Sequence, residues 1–356
     1  MSEKTIQLDR FMYDRAREKK QTLSHYLENK HPSPEGSSLD AFQRALKQEE
    51  IVVKSLYEKG IVANDLEAFY RTEESRVLFP EYIARTVREA IVQDTMLPYL
   101  VGVTTPINGD SYRTFYVDDQ PQKQKKVRVG EAGELPRASI KGREQTVKIY
   151  KFGRAIEASY EVIRRMQIDM LALHVRRIAM QVAKDKVEEI IEVIKSGDGN
   201  SNAAPTVNLQ TLDSTASANT LTAKAFVLFL MEFEEFPCNT LIGSKNSFMQ
   251  IVLTHIPSLT TADLLKLLAQ GTTMGITINA PQMPTGSVRL FWHKDIGENE
   301  IFGINNQFAI EQVTEVGSDI TEADKFITRQ TNVLTISENN GYSKMFVEAT
   351  KKLNLN

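Results

Sequence analysis

Side chains that could bind a metal ion are few in this sequence, and their spacing does not suit a metal site. The five histidines follow no ligand spacing of the kind that zinc sites use. They are His25, His31, His174, His255 and His293. The sequence therefore predicts no metal centre and no cofactor.

One short segment partly resembles a calcium-binding loop. The run DGNSN at 198–202 places side-chain oxygens at the first, third and fifth positions of such a loop. The sixth position is Ala203 instead of glycine, and Leu209 at the twelfth position cannot supply a bidentate carboxylate. We therefore interpret this run as a polar turn.

Motifs for catalysis are missing from the sequence. It contains no G-x-x-x-x-G-K-[ST] phosphate loop, no G-x-G-x-x-G dinucleotide motif, no H-E-x-x-H zinc motif and no G-x-S-x-G nucleophile elbow. Acids and nucleophiles are abundant because 25% of the residues are charged, but no pattern groups them. The sequence thus predicts that the protein is not an enzyme.

The composition is that of a globular protein with a reduced cysteine. The 356 residues are enough for two or three domains, and 41% of them are hydrophobic. The net charge of -3 gives no whole-chain signal for nucleic-acid wrapping. The single Cys238 excludes an internal disulfide and is expected to be a buried thiol. The N-terminus has no signal-peptide core, and the longest apolar run, Ala225 to Met231, is too short for a membrane span.

The longest segment without glycine or proline, Ser159 to Lys195, predicts a long helix that ends at Gly197. We expect Ser159 to cap a first short piece and Asp169 to cap a second. The apolar residues form two stripes on different faces, which predicts that the two halves pack against different surroundings; a two-sided core helix is the alternative. The first stripe contains Leu171, Val175, Ile178 and Val182, and the second contains Ala183, Val187, Ile190, Ile191 and Ile194.

Two predicted strands, Ser111 to Val117 and Thr146 to Phe152, enclose the polar segment 118–145, which has almost no large apolar residue. This pattern predicts a hairpin arm without a core of its own. The arm is locally basic, and we favour docking on an acidic neighbour over nucleic-acid contact because no aromatic residues lie near the tip. The residues expected to contact another subunit, with a solvated arm as the alternative, are Lys123, Lys125, Lys126, Arg128, Glu131 and Glu134.

The rest of the chain predicts helices before residue 100 and mixed helices and strands after residue 205. Residues 1–75 indicate charged helices that form a helical hairpin or an interaction arm, and one helix is expected to run from Ser38 to Gly60. Pro80 is expected to begin the next helix. The chain should close with strands at Phe326 to Glu338 and Lys344 to Ala349, followed by a polar tail.

Taken in order, these elements resemble the major capsid proteins of tailed bacteriophages, whose Hong Kong 97-like fold is shared with encapsulins. The segments that carry the resemblance are LFPEYIARTVREAIVQDTMLPYLVGV (78–103), the long helical run at 159–199, GITINAPQMPTGSVRLFWHKD (275–295) and NVLTISENNGYSKMFVEATKKL (332–353). The resemblance implies an α+β fold with a spine helix, an extended hairpin loop, peripheral and axial domains and a helical N-terminal segment.

The resemblance implies a division of the chain into six segments. They are a scaffold-like N-terminal segment retained on the inner side (1–75), an N-terminal arm (76–105), the extended hairpin loop (106–152), the peripheral domain with the spine helix (153–204), the axial domain (205–320) and the return to the peripheral domain (321–356).

The function implied is a shell subunit that assembles into pentamers and hexamers around double-stranded DNA. Its partners would be many copies of itself, non-specifically bound DNA, a portal protein, and a scaffold or decoration protein, with no membrane. It would reside in the virion and assemble in the host cytoplasm. An encapsulin-type shell and a nucleic-acid-binding module are the alternatives.

Overall fold

The computed structural model describes residues 6–9, 11–19, 21–34, 36–53, 64–93, 96–118, 131, 139–142, 146–255, 276–279, 287–318, 320–326 and 328–356. The chain divides into two compact units. Unit 1 comprises Met1–Asp94, Lys151–Ala183 and Glu315–Asn339, and unit 2 comprises Thr95–Tyr150, Lys184–Thr314 and Asn340–Asn356.

Within these ranges, the helices are α1 (Met12–Glu18), α2 (Leu23–Lys30), α3 (Ala41–Gln48), α4 (Glu73–Gln93), α5 (Tyr160–Arg165), α6 (Ile168–Ser196), α7 (Leu209–Leu212), α8 (Ala223–Met231) and α9 (Lys245–His255). The strands are β1 (Val101–Ile107), β2 (Ser111–Tyr112), β3 (Phe115–Asp118), β4 (Ser139–Gly142), β5 (Val147–Lys148), β6 (Tyr150–Ser159), β7 (Thr206–Asn208), β8 (Thr240–Gly243), β9 (Ile276–Asn279), β10 (Ser287–Trp292), β11 (Glu300–Ile304), β12 (Ile310–Glu315), β13 (Ile320–Phe326), β14 (Thr331–Lys344) and β15 (Thr350–Asn354).

The N-terminal helices are part of the hydrophobic core of unit 1. Phe42 of α3 and Leu27 of α2 are buried in one cluster with residues of α4 and of the first half of α6. Polar contacts reinforce this packing, because the buried Glu81 of α4 accepts a hydrogen bond from Ser24 Oγ at 2.5 Å. Arg85 of α4 pairs with Asp40 and lies over the Phe42 ring. These helices are thus held to α4 by both apolar and ionic contacts.

Helix α3 is shorter than the sequence pattern predicts. Asp40 caps its start through a capping box with Gln43, so the helix begins after Ser38, and it ends at Gln48. Glu50 follows with a φ of 56°. Such a left-handed residue reverses the chain, and Ile51 and Val53 then return to the core as non-helical residues.

Helix α4 starts earlier than predicted, so the expectation that Pro80 begins a helix is wrong. The helix runs from Glu73 and contains Pro80 in its interior. Thr72 and Ser75 exchange backbone-to-side-chain hydrogen bonds of 2.9 and 3.1 Å, which satisfy free N–H groups at the start. Burial of Leu78, Phe79 and Ile83 offsets the hydrogen bond that a proline removes from a helix.

The long helix is present, with one of its two predicted caps. Ser159 accepts a hydrogen bond from Val162 N–H and caps α5, as expected. Asp169 does not cap α6, because the helix already begins at Ile168 and Asp169 lies in its first turn. Gly197 has a φ of 87° and donates its N–H to Val193, which ends the helix as predicted. With 29 residues, α6 is about 43 Å long.

The two apolar faces of α6 belong to different hydrophobic clusters, which confirms that the halves pack against different surroundings. Leu171 and Val175 lie in the cluster of unit 1 that contains α3 and α4. Ile190, Ile191 and Ile194 lie in a cluster of unit 2 with Phe302 and Ile310. The two stripes of α6 are therefore not buried in one common core, which was the alternative.

The strands of unit 1 lie around β14. Strand β13 pairs antiparallel with β14 from Ile320↔Ser337 to Phe326↔Thr331, and β6 also pairs with β14. The strand predicted from Phe326 to Glu338 is therefore confirmed only from Thr331, within β14, whereas Phe326 ends β13. The turn between β13 and β14 contains Gln330, whose φ is 52°.

Unit 2 contains a six-stranded sheet in the order β7-β15-β11-β8-β10-β9. Strands β8 and β10 pair in parallel, whereas β11 pairs antiparallel with β8 and with β15. A cluster around Phe226, Phe229 and Leu241 packs α8 and α9 against this sheet. Cys238 is buried there as predicted, and burial raises the pKa of its thiol to about 12.

Strand β15 was not expected, because residues 350–354 were interpreted as part of a polar tail. They form the strand between β11 and β7, with Leu353 and Leu355 fully buried. The alternation of lysine or asparagine with leucine is a period-two pattern, but it is short and mostly polar. The predicted strand from Lys344 to Ala349 is instead mainly the connection between β14 and β15.

Asp213 provides an acid-sensitive contact before α8. Its carboxylate accepts hydrogen bonds from Thr215 Oγ1 at 2.7 Å and Thr222 Oγ1 at 2.8 Å, and Thr222 caps α8. These hydrogen bonds lower the pKa of Asp213 to about 2 from 3.8.

Because the folded-state pKa is the lower one, the contribution of Asp213 to stability is present above about pH 4 and is lost as the pH falls towards 2. We expect Asp213→Asn to lower the melting temperature at pH 6 and to differ less from the unmodified chain at pH 2. Melting curves at both pH values measure this, with the exposed Glu348→Gln as a control. An equal difference at both pH values would contradict the assignment.

Candidate assembly site

The predicted hairpin arm is built from two pairs of short antiparallel strands in unit 2. Strand β2 pairs with β5 through Ser111↔Lys148, and β3 pairs with β4 from Phe115↔Gly142 to Asp118↔Ser139. The paired strands thus extend to Ser139, inside the segment that was expected to be a polar tip. Two strands on their own cannot form a core, and Phe115 of β3 and Lys141 of β4 are exposed.

The base of the arm is anchored by a buried carboxylate. Glu311 of β12 is 8% exposed and accepts hydrogen bonds from Thr105 of β1 and from Tyr112 Oη at 3.3 Å. Burial, followed by the nearby Glu311 carboxylate, raises the pKa of Tyr112 above its usual value. The first strand of the arm is therefore held to the sheet that contains β12.

A glycine on β14 allows the arm to approach closely. A Cβ atom at Gly341 would lie 2.8 Å from the carbonyl oxygen of Lys148, which is shorter than van der Waals contact permits. Next to this contact, Val147 of β5 is buried. The base of the arm is thus fixed on both of its strands, by Tyr112 on β2 and by the Gly341 contact on β5.

Large apolar side chains of the arm and its base remain exposed. Phe115 is 62% exposed, Tyr150 is 53% exposed and Val103 of β1 is 45% exposed. Exposed aromatic side chains next to a fixed base are typical of surfaces that bind another protein. The sequence predicts contact at the charged tip of the arm, whereas Phe115 lies in the apolar run FYV of β3, which by itself does not indicate an exposed ring.

Most of the predicted contact residues lie outside the described part of the chain. They are Lys123, Lys125, Lys126, Arg128 and Glu134. Glu131 is an exposed turn residue. The contact role of all six stays a prediction.

The turn after α6 is a second polar centre of unit 2. Asp198 accepts hydrogen bonds from Lys344 N–H at 3.0 Å, Ser343 Oγ at 3.1 Å and Asn200 Nδ2 at 2.9 Å. Lys344 is fully buried and donates its ammonium to the carbonyl of Ile194 at 2.9 Å, in the last turn of α6. The DGNSN run is thus a structural turn that joins the end of α6 to β14.

The Asp198 carboxylate is stabilised in its charged form. Partial burial acts to raise its pKa, but the hydrogen bonds from Asn200, Lys344 and Ser343 outweigh burial, and the pKa lies below the usual value. A positive ammonium at the C-terminal end of a helix also interacts favourably with the helix dipole. The charges of Asp198 and Lys344 therefore stabilise the connection between the end of α6 and β14.

Comparison with known proteins assigns the middle of the chain. Residues 143–314, from β4–β5 through α6 to β12, match a family model described as a phage capsid protein. This segment is similar to a phage capsid protein domain. The match confirms the resemblance to phage capsid proteins, and the arrangement of helices and sheets is the Hong Kong 97-like α+β fold class that the sequence predicts.

Several solved structures are similar to this chain at low identity. A virus-like particle from Pyrococcus furiosus has 13% identity and a TM-score of 0.47, covering 77% of this chain and 98% of that one. The satellite phage P4 procapsid has 9% identity and a TM-score of 0.48, covering 79% and 97%. The SrpI encapsulin complex from Synechococcus elongatus has 10% identity and a TM-score of 0.44, covering 72% and 86%. A comparison with curated proteins gives no match.

The phage capsid match supports a capsid shell protein. Capsid domains are structural, which favours a structural role over an enzymatic one. In the described residues, no helix is both long and apolar enough to cross a membrane.

Proposed function

We propose that this chain is the structural subunit of an icosahedral phage capsid, which self-assembles into pentamers and hexamers around double-stranded DNA. The phage capsid domain at residues 143–314 carries this proposal. Other copies of the chain are the main partners, DNA is enclosed non-specifically, and a portal protein and a scaffold or decoration protein complete the particle. Assembly takes place in the host cytoplasm.

The arm supports self-assembly. Its base is fixed by Glu311 and Gly341, whereas Phe115 is exposed and has no covering layer among the described residues. A contact with a neighbouring subunit would bury this ring, and closed symmetry repeats such a contact at every copy. Small contacts that are individually weak then add up to a stable shell.

The segment assignments of the family extend this proposal. We assign residues 76–105 to the N-terminal arm, 106–152 to the extended loop, 153–204 with the end segment 321–356 to the peripheral domain, and 205–320 to the axial domain. Residues 1–75 stay attached in the particle, on its inner side. Their contribution to the core of unit 1 supports retention, because removal would uncover that core.

An encapsulin-type shell is the second candidate, and an apolar pocket in unit 1 favours it. Residues of α4, β6, α6 and β14 line this pocket, including Val87, Phe152, Ile178 and Ile336. The pocket is small, with room for one apolar side chain of a cargo peptide and not for a longer peptide segment. The N-terminal helices, in contrast, favour the phage capsid.

Electron microscopy of the expressed full-length chain tests these proposals. Uniform shells or rings of five and six subunits support both shell proteins, and encapsulated double-stranded DNA in phage-infected cells distinguishes the capsid from the encapsulin. A monomer that binds DNA tightly at low salt, and loses it as salt rises, would instead identify a nucleic-acid-binding module.

Arm variants test the assembly surface directly. We expect Phe115→Ser to reduce the yield of shells at least about tenfold while leaving the melting temperature of the free subunit unchanged, because the ring is exposed in the subunit. The charge reversal of Lys125, Lys126 and Arg128 to glutamate should have the same effect. Sedimentation and electron microscopy measure shell yield, and Glu348→Gln, an exposed site away from the arm, is the control. Normal shells from both arm variants would contradict the assignment of the arm as an assembly surface.

A further inference from the structure

Three side chains with metal-binding chemistry meet in unit 2. Glu188 lies on α6, and His293 and Asp295 follow the end of β10. One ligand atom from each residue lies within 4.8 Å of the other two. Glu188 and His293 are far apart in the sequence, so the spacing of histidines could not reveal this group.

The distances within the group suit a shared ion. His293 Nδ1 and Asp295 Oδ2 are 3.5 Å apart. Two ligand atoms at about 2.1 Å from a tetrahedral metal ion are separated by about 3.4 Å. The backbone N–H of Asp295 donates to His293 Nδ1 at 3.3 Å, and a metal ion bound to Nδ1 would replace this hydrogen bond. The 3.5 Å separation is thus compatible with a cation bound to both atoms.

The backbone holds the group in place. His293 N–H donates to the carbonyl of Gly243 on β8 at 2.9 Å, and the His293 side chain is 12% exposed. Lys195 of α6 donates its ammonium to the Asp295 carbonyl at 3.2 Å. Glu188 lies on the same helix as Lys195, whereas His293 and Asp295 lie in the turn after β10 that these two hydrogen bonds hold in place.

A positive charge already contacts the group. The ammonium of Lys294 lies 2.6 Å from Glu188 Oε1, on a side chain that is 65% exposed. An exposed lysine can turn into solvent without leaving a buried charge, so this ion pair can give way to a metal ion. Lys294 would act as a competitor for Glu188.

We propose that Glu188, His293 and Asp295 form a binding site for a divalent transition-metal ion such as Zn²⁺. One imidazole and two carboxylates are ligands that zinc uses, with water completing the coordination. The ion would join α6 to the segment after β10 and stabilise unit 2. This site does not depend on the proposed function, because the free subunit contains all three ligands.

Titration of the full-length chain, treated with a chelator and dialysed, tests the site. We expect one Zn²⁺ per subunit by calorimetry, a rise in melting temperature with Zn²⁺ that EDTA reverses, and the visible absorption of tetrahedral Co²⁺. Glu188→Gln and His293→Asn should each weaken binding at least about tenfold. The matched controls are Glu192→Gln, one turn further along α6, and His174→Asn, an exposed histidine on the same helix.

Lys294→Met gives a test in the opposite direction. Removing the competing ammonium should tighten Zn²⁺ binding. A group held together only by ion pairs would bind no Zn²⁺, either in the unmodified chain or in Lys294→Met. The proposal is overturned by an absence of Zn²⁺ binding to the unmodified chain, or by unchanged affinity in Glu188→Gln. Glu188 is partly exposed, so its glutamine variant is expected to fold and decides the matter even if His293→Asn does not fold.

Discussion

Replacing Phe42 with alanine is expected to lower the free energy of unfolding by about 3–5 kcal/mol. The Phe42 ring is 1% exposed and belongs to the cluster that joins the N-terminal helices to α4 and α6. The guanidinium of Arg85 lies 4.6 Å from the ring centroid and would also lose this contact. Urea unfolding of the free subunit, followed by circular dichroism, measures the change.

Phe11 provides the matched control for Phe42. Its ring is 52% exposed, so Phe11→Ala should change stability by no more than about 0.5 kcal/mol. An unchanged unfolding midpoint in Phe42→Ala would show that the N-terminal helices do not contribute to the core. Retention of residues 1–75 has a separate test, because mass spectrometry of particles would show a chain that starts near residue 76 if the segment were removed.

Replacing Asp198 with alanine is expected to lower the free energy of unfolding by about 2–4 kcal/mol. The variant leaves the N–H of Lys344 and the hydroxyl of Ser343 without their acceptor, and both residues are fully buried. Hydrogen bonds to a charged group contribute more than neutral ones, and unmet buried donors carry the full desolvation cost. The same urea titration gives the measurement.

The loss should also depend on pH. The folded-state pKa of Asp198 is below 3.8, so its contribution to stability is present at neutral pH and is lost as the pH falls below about 4. The difference between the unmodified chain and Asp198→Ala should therefore shrink at low pH. Glu348→Ala, exposed on the connection that follows β14, should have little effect at either pH. A loss below 0.5 kcal/mol at neutral pH would refute the role of this turn.

Local periodicity was enough to predict the elements that bury a regular stripe. The two faces of α6 could be predicted from the sequence because each half repeats its apolar residues at helical spacing, and both halves are buried as that spacing requires. The buried strands β8, β10 and β11 carry a sequence signal of a different kind. Their continuous apolar runs are typical of buried strands.

The failures concern residues whose structure depends on partners distant in the sequence. Pro80 was expected to begin a helix because of its local preference, but burial of its neighbours extends α4 beyond it. Strand β15 is mostly polar and becomes a strand because β11 and β7 pair with both of its edges. Glu188, His293 and Asp295 meet only after α6 and β10 have folded, so no spacing rule could group them.

The position of β15 has a consequence for the order of events during synthesis. The strand occupies an interior place in its sheet, yet Thr350–Asn354 is translated after every other strand of that sheet. This edge of β11 stays unpaired on the ribosome until the segment emerges. Domains generally fold as units during synthesis. A prematurely terminated chain would lack the strand and expose that edge. The sheet of unit 2 is therefore complete only once this segment has been synthesised.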